Sequence, residues 1–183
     1  MEPGRRIRPA TNRVKVSVFD ILPMDLSGQY VLDLFAGAGT FGIEALSRGA
    51  FSAVFVDQSR KAGELIKANL TKLGCLGQAR VVKKKASVAL NQLALEGDKF
   101  DLVFVDPPFD QGLCARTLAQ LARAGILAED AIVVVRLSTR EQTEESYGNL
   151  IRKDKRKYGD SIVSFYLWQS EQNNKKTPGL RRF

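Results

Sequence analysis

From about residue 30 the chain alternates short apolar runs with longer stretches of helical spacing, and that rhythm leaves few folds open. Strands separated by helix-length segments cannot close as tight hairpins, so they join in parallel through crossover helices, the pattern of a doubly wound α/β domain. Y-V-L-D-L-F, Tyr30 to Phe35, is the first strand candidate, and Gly37 to Thr40 the turn into a helix through about Ser47. Ala53 to Val56 is the second strand, closed by Asp57. Ala62, Leu65, Ile66, Leu70 and Leu73 mark a helix over Arg60 to Leu73, with Gly74 as its stop. A strand at Ala79 to Lys83, a helix around Ser87 to Leu95, a strand at Phe100 to Val105, a helix at Leu113 to Ala124 and a strand at Ala131 to Arg136 follow. The almost unbroken apolar runs of the last two strands suit a parallel sheet covered on both faces. Asn149 to Tyr158 and Ser161 to Trp168 flank Gly159-Asp160 and read as an antiparallel hairpin that finishes the sheet.

At 183 residues one core is expected. We divide the chain into a basic N-terminal segment (1–25), the α/β domain (26–170) and a polar, basic tail (171–183) expected to be mobile. The formal charge of +8 gathers at Arg5 to Lys15, Lys83 to Lys85, Arg152 to Lys157 and Lys175 to Arg182, which favours a polyanionic partner, nucleic acid before membrane. There is no histidine, so Ser-His-Asp and Cys-His catalysis and most zinc sites are excluded, and no metal is expected. Two cysteines, no long apolar span and an N-terminus without an apolar core lead us to expect a cytoplasmic protein, without membrane attachment and monomeric.

The glycine turn carries the first chemistry. Gly37, Gly39 and Gly42 match G-x-G-x-x-G between a strand and a helix, where backbone can approach a ligand closely. Spacing alone would suggest a dinucleotide, with Asp57, 24 residues after Asp33, at the place of a ribose-binding acid. Asp33 argues otherwise, because an acid just before the turn repels pyrophosphate and attracts a cationic group. S-adenosylmethionine has the ribose and the cation and no phosphate.

The second chemistry lies at the end of the fourth strand. Asp106-Pro107-Pro108-Phe109 is stiff, since each proline lacks an N–H and restricts the residue before it. Such a turn can aim a carboxylate and the Pro107 carbonyl at an amino group, with Phe109 as a flat face for a base.

These residues, with R-P-A-T-N-R-V-K-V-S-V-F-D-I-L (Arg8 to Leu22), D-L-F-A-G-A-G-T-F-G-I-E-A-L-S-R-G-A (Asp33 to Ala50), V-F-V-D (Val54 to Asp57) and F-V-D-P-P-F (Phe104 to Phe109), resemble the bacterial 16S rRNA guanine-N2 methyltransferases of the RsmD type. The resemblance implies a Rossmann-like class I methyltransferase fold of seven strands. It implies an enzyme that moves a methyl group from S-adenosylmethionine to the exocyclic amine of a guanine in small-subunit rRNA, free or in an assembling ribosomal subunit. By position, Asp33, Phe35, Ala36, Gly37, Gly39 and Thr40 would line the methionine side of the cofactor. Asp57 would hold its ribose, with Gln58 and Ala86 beside it. Asp106, Pro107, Pro108 and Phe109 would hold the guanine, while Arg8, Thr11, Arg13 and Lys15 would lie over the pocket and meet RNA. The N2 amine is a poor nucleophile, so catalysis should rest on orientation, and the target base must be unpaired or flipped.

Three positions depart from the family pattern: Lys85 stands where an acid or amide recognises adenine, the chain before Arg8 is short, and Arg136 replaces an acid. The residues alone leave open an amino methyltransferase for DNA adenine or cytosine or for glutamine, and a non-catalytic RNA-binding or ribosome-assembly protein. A nicotinamide dehydrogenase is disfavoured by Asp33 and by D-P-P-F.

Overall fold

The computed structural model describes residues 9–169, with the side chains of 9–12 outside the description. One mixed sheet forms the molecule's frame. In chain order the elements are α1 (Pro9–Ile21), β1 (Tyr30–Leu34), α2 (Thr40–Ser47), β2 (Ser52–Val56), α3 (Arg60–Lys72), β3 (Ala79–Val82), α4 (Ala86–Glu96), β4 (Phe100–Val105), α5 (Leu113–Ala124), β5 (Leu127–Ser138), β6 (Ser146–Tyr147), β7 (Leu150–Tyr158) and β8 (Ser161–Trp168).

The strand order is β3-β2-β1-β4-β5-β8-β7-β6, with the first five parallel and the last three joined antiparallel. The expected class is therefore correct, with eight strands rather than seven. The extra one, β6, is two residues long and too short to leave a period in the sequence. Strand β5 also starts earlier than its apolar run, at Leu127, because Phe100 pairs with Leu127 before a register irregularity restores pairing at Leu102 and Ile132.

Each face of the sheet carries its own core, as expected for strands whose alternate residues point to opposite sides. Leu32, Leu34, Val103, Val105, Val133 and Val135 pack under α4 and α5, through Leu90, Leu93, Leu118 and Leu121. Val31, Phe55, Leu102, Phe104, Val134 and Val163 pack under α1, α2 and α3. There Phe41 lies against Phe104 with ring centroids 4.9 Å apart, and Phe19 of α1 meets Phe104 at 5.6 Å. Such ring pairs contribute about 0.5–1.5 kcal/mol each beyond their buried area.

From Val14 on, the expected N-terminal segment thus does not lie outside the core. Pro9 opens α1, where its missing N–H costs nothing, and Val14, Val18, Phe19 and Leu22 are all buried. Each such side chain contributes about 1.5–3 kcal/mol on burial. Arg13, Lys15 and Asp20 stand beside these positions and give the segment its charged character in the sequence. The tail 171–183 lies outside the described residues.

Candidate active site at the strand ends

The sheet changes direction of growth at β1, whose neighbours are β2 on one side and β4 on the other, so a crevice opens above its C-terminal end. Register brings the motifs there. Leu34 pairs with both Val56 and Val105, so the residues that follow all three strands start level with one another. Asp57 and Asp106 thereby flank Phe35. The charges of Asp57 and Asp106 both act on Asp33, so three carboxylates surround one crevice.

Asp33 is 1% exposed and accepts a hydrogen bond from Gly42 N–H at 2.9 Å. Burial, against the opposing effect of that bond and helped by the charges of Asp106 and Asp57, pushes its carboxyl up to about 8. Burial thus works against a permanent negative charge beside the turn. The evident structural duty of Asp33 is to hold the start of α2.

The glycines divide by task. A Cβ on Gly42 would sit 2.4 Å from the Phe55 ring, so this glycine lets α2 pack onto β2. Gly37 has φ 56° and would meet nothing within 4 Å, so its turn faces open space that a ligand can enter. Asp57 ties that turn down by accepting from Gly37 N–H at 2.9 Å and from Ser59 N–H at 2.8 Å. Phe35 holds φ 64°, which for a bulky residue costs roughly 1–3 kcal/mol. It is fixed on one side by Ala36 N–H donating to Val56 at 2.9 Å and on the other by Gly39 N–H donating to Ala36 at 2.7 Å. Strain of this kind marks a backbone held for a purpose. Asn69, which sequence reasoning passed over, donates to the Ala38 carbonyl at 3.1 Å and braces the same turn from α3. No local signal distinguishes it from any other helical asparagine. Thr40 opens α2, Gln58 is exposed beside Asp57, and Ala36 and Ala86 are buried. Lys85 is exposed, and its backbone caps the start of α4 without a side-chain bond.

On the acceptor side Pro107 is buried, Pro108 exposed and Phe109 half-buried. Arg136, at the end of β5, places Nη1 3.2 Å from each Asp106 oxygen, and its guanidinium carbon lies 4.9 Å from the Phe109 ring centre. The pairing of Val105 with Val135 brings these two residues side by side across adjacent strands. Burial raises the Asp106 carboxyl above the ordinary range, and Arg136 opposes the rise by charge and by hydrogen bonding. One turn further on, Arg140 pairs with Asp110, and Gly112 N–H donates to Glu141 at 3.0 Å. The loop after D-P-P is therefore fastened to the end of β5 at three points.

Of the predicted RNA-contacting residues, Arg8 lies outside the described residues, as does the side chain of Thr11. Arg13 is exposed, whereas Lys15 is bound to Glu44 at 3.0 Å and ties α1 to α2. A second groove, lined by Tyr30, Arg80, Asp98 and Lys99, opens at the opposite end of the strands and contains none of the predicted residues.

Comparison with known proteins bears on the family and the fold. The family model described as conserved hypothetical protein 95 matches residues 1–167. A Bacillus subtilis protein named as a candidate rRNA methyltransferase, YlbH, is 35% identical over 163 residues, 89% of this chain and 89% of that protein. Ribosomal RNA small subunit methyltransferase D of Escherichia coli is 40% identical over 133 residues, 73% of this chain and 64% of that protein. The solved structure of the candidate methyltransferase yhhF from Escherichia coli superposes with a TM-score of 0.79 at 32% identity, covering 92% of each chain.

Proposed function

Since the chain belongs to the conserved hypothetical protein 95 family, that of small-subunit rRNA methyltransferase D, we propose that it methylates the exocyclic N2 amine of a guanine in small-subunit rRNA. It is an S-adenosylmethionine-dependent methyltransferase acting on rRNA. The family carries the choice of guanine, and the observation that carries the methyl-transfer reading is the level ending of β1, β2 and β4. It sets an open glycine turn, a ribose-type acid and a stiff carboxylate–proline–proline–aromatic turn around one crevice.

The residues fit the cofactor. Gly37 leaves its backbone uncovered, and the Asp57 carboxylate keeps acceptor capacity for a ribose hydroxyl pair beyond its two bonds to backbone N–H groups. When bound, the cofactor supplies an electrophilic methyl carbon: an N–CH3 bond forms as the S–CH3 bond breaks, its electron pair goes to sulfur, and the nitrogen loses a proton.

The chain's own part is orientation. Asp106 and the Pro107 carbonyl would accept the two amine hydrogens, leaving the nitrogen lone pair to point across the crevice towards the turn at Gly37. Phe109 would stack the base. Holding reactants in line in this way is worth up to roughly 7–11 kcal/mol in well-aligned cases. Asp106, with its raised carboxyl pKa, is also suited to receive the departing proton.

The partner in this reading is small-subunit rRNA, free or in the assembling subunit, met in the cytoplasm by a monomeric enzyme. Among the described residues no helix is long and apolar enough to cross a membrane. Lys155 and Lys157 are exposed on β7, and Arg156 is level with Arg136 across β8, since both pair with Val163. This basic edge lies at the crevice end of the sheet and suits phosphates flanking a flipped base.

Titration calorimetry with S-adenosylmethionine, followed by mass mapping of small-subunit rRNA from cells lacking the gene, tests the proposal. Cofactor binding together with the loss of one N2-methylguanine is expected. An unchanged set of methylguanines would overturn the assigned target.

A further inference from the structure

The seat that the proposed function gives to guanine is filled by a side chain of the protein. Arg136 donates from Nη1 to both oxygens of Asp106 at 3.2 Å, covers Phe109 with its guanidinium carbon 4.9 Å from the ring centre, and reaches Ser161 Oγ with Nη2 at 3.4 Å. Carboxylate contact and stacking on Phe109 are the two interactions a bound base would make.

The chemical likeness goes further than position. A guanidinium is a planar N–C–N group whose adjacent nitrogens present N–H donors along one edge. The N1–C2–N2 edge of guanine is built the same way, with an N1–H next to the N2 amine. Adenine and cytosine instead present an acceptor ring nitrogen beside their amine, which would face the carboxylate with like polarity. In the structure Nη1 alone meets both Asp106 oxygens and Nη2 turns to Ser161; a guanine that set N1–H and N2–H on the two oxygens would gain a contact that adenine and cytosine cannot make.

We propose that Arg136 is a stand-in for the target base: it occupies the acceptor seat in the free enzyme and yields it to a flipped guanine. This inference rests on the reading of the site given above.

Two further features support displacement. The Nε of Arg136 is buried without a hydrogen-bond partner, so the seat satisfies the arginine only in part. Its main chain is anchored, since the Cys114 thiol donates to its carbonyl at 3.5 Å and β5 pairs on both sides, so the side chain can leave without moving the sheet. The seat would otherwise present a desolvated carboxylate with no counter-charge, a costly state that the stand-in prevents. Once displaced, the cation is free to meet a phosphate of the nucleotide that replaced it.

The test compares wild type with Arg136→Met, and with Arg136→Gln should the first fail to fold by thermal denaturation. Binding of free guanosine and of adenosine is followed by NMR, and methylation of small-subunit rRNA is measured separately. A guanosine affinity about tenfold higher in the variant, with adenosine unchanged, is expected, because guanosine no longer competes with Arg136. The pH profiles carry an independent mark. Arg136 lowers the Asp106 pKa, so its removal should shift the acid limb of kcat/KM, which reports the free enzyme, to higher pH while the limb of kcat stays in place.

Unchanged guanosine affinity, or equal gains for guanosine and adenosine, would overturn the stand-in. So would a fall in kcat at constant KM that Arg136→Lys restores, since that pattern belongs to a fixed positioning residue. The nucleoside arm needs no turnover, so it decides the question even if wild type methylates no guanine, an outcome that would count against the reading of the site instead.

Discussion

At the ends of β1 and β2 the polar groups of the crevice are bound to backbone, whereas at the ends of β4 and β5 they are bound to side chains. Asp33 and Asp57 each accept from a glycine N–H, and Asn69 braces the turn from behind. Asp106 and Phe109 are held by Arg136, and the adjoining loop by Arg140 and Glu141. Backbone contacts survive when a ligand arrives, because carboxylates have lone pairs to spare. Side-chain contacts to a single carboxylate must be exchanged. In the proposed reading, the cofactor side is ready for its ligand and the acceptor side is kept closed until a base competes for it.

The largest effect that would test this division is on turnover. Asp106→Ala should reduce methyl transfer by about 10³-fold or more while leaving S-adenosylmethionine affinity within about twofold, read by single-turnover kinetics and calorimetry. Equal loss of both would show that the two halves are one unit. Salt should separate them next. If about five phosphate contacts form, RNA affinity should fall roughly 10²-fold between 50 and 200 mM salt, measured by filter binding, with cofactor affinity almost unmoved. Asp57→Ala is expected to weaken the cofactor by about 10–100-fold through lost ribose acceptance and a looser glycine turn, and to leave guanosine affinity unaltered.

Asp33→Asn is the mildest. The Asp33 carboxyl titrates near 8 in the protein against an ordinary value of 3.8, so its cost to folding is absent below the ordinary value and grows as pH rises towards 8. Asparagine keeps an acceptor for Gly42. The variant should therefore gain stability over wild type as pH rises from 5 to 8, seen as a widening difference in Tm. A constant difference would mean that Asp33 is ionised throughout.

How far the residues alone could lead depended on how locally each feature is encoded. Phe100 to Val105 announces itself because an unbroken apolar run stops at an acid and two prolines, and the strand bounds agree to the residue. Helix α1 reads first as a basic segment because Arg13 and Lys15 draw attention to its charge, although Val14, Val18 and Leu22 keep four-residue spacing. The site divides in the same way. Asp57, Asp106 and the glycine turn sit at strand ends, where neighbouring residues already point to a crevice. The identity of Arg136 could be read and its direction could not, because its meeting with Asp106 depends on a strand register across 30 residues. Phe35 could be placed beside the turn, but its left-handed backbone follows from hydrogen bonds to β2 that no local pattern encodes.

The position of β8 has a consequence for how this molecule is made. Among the described residues the last strand lies inside the sheet, between β5 and β7, and it has an unbroken buried run from Val163 to Leu167. Until synthesis has passed Trp168, β5 has an open edge, with Val133, Val134 and Val135 beside unpaired backbone groups. An exposed apolar edge of this kind invites pairing with other chains. Completion of the protein is thus a late, long-range event in its folding, and the hairpin turn at Gly159-Asp160 sets how quickly the exposed edge is covered.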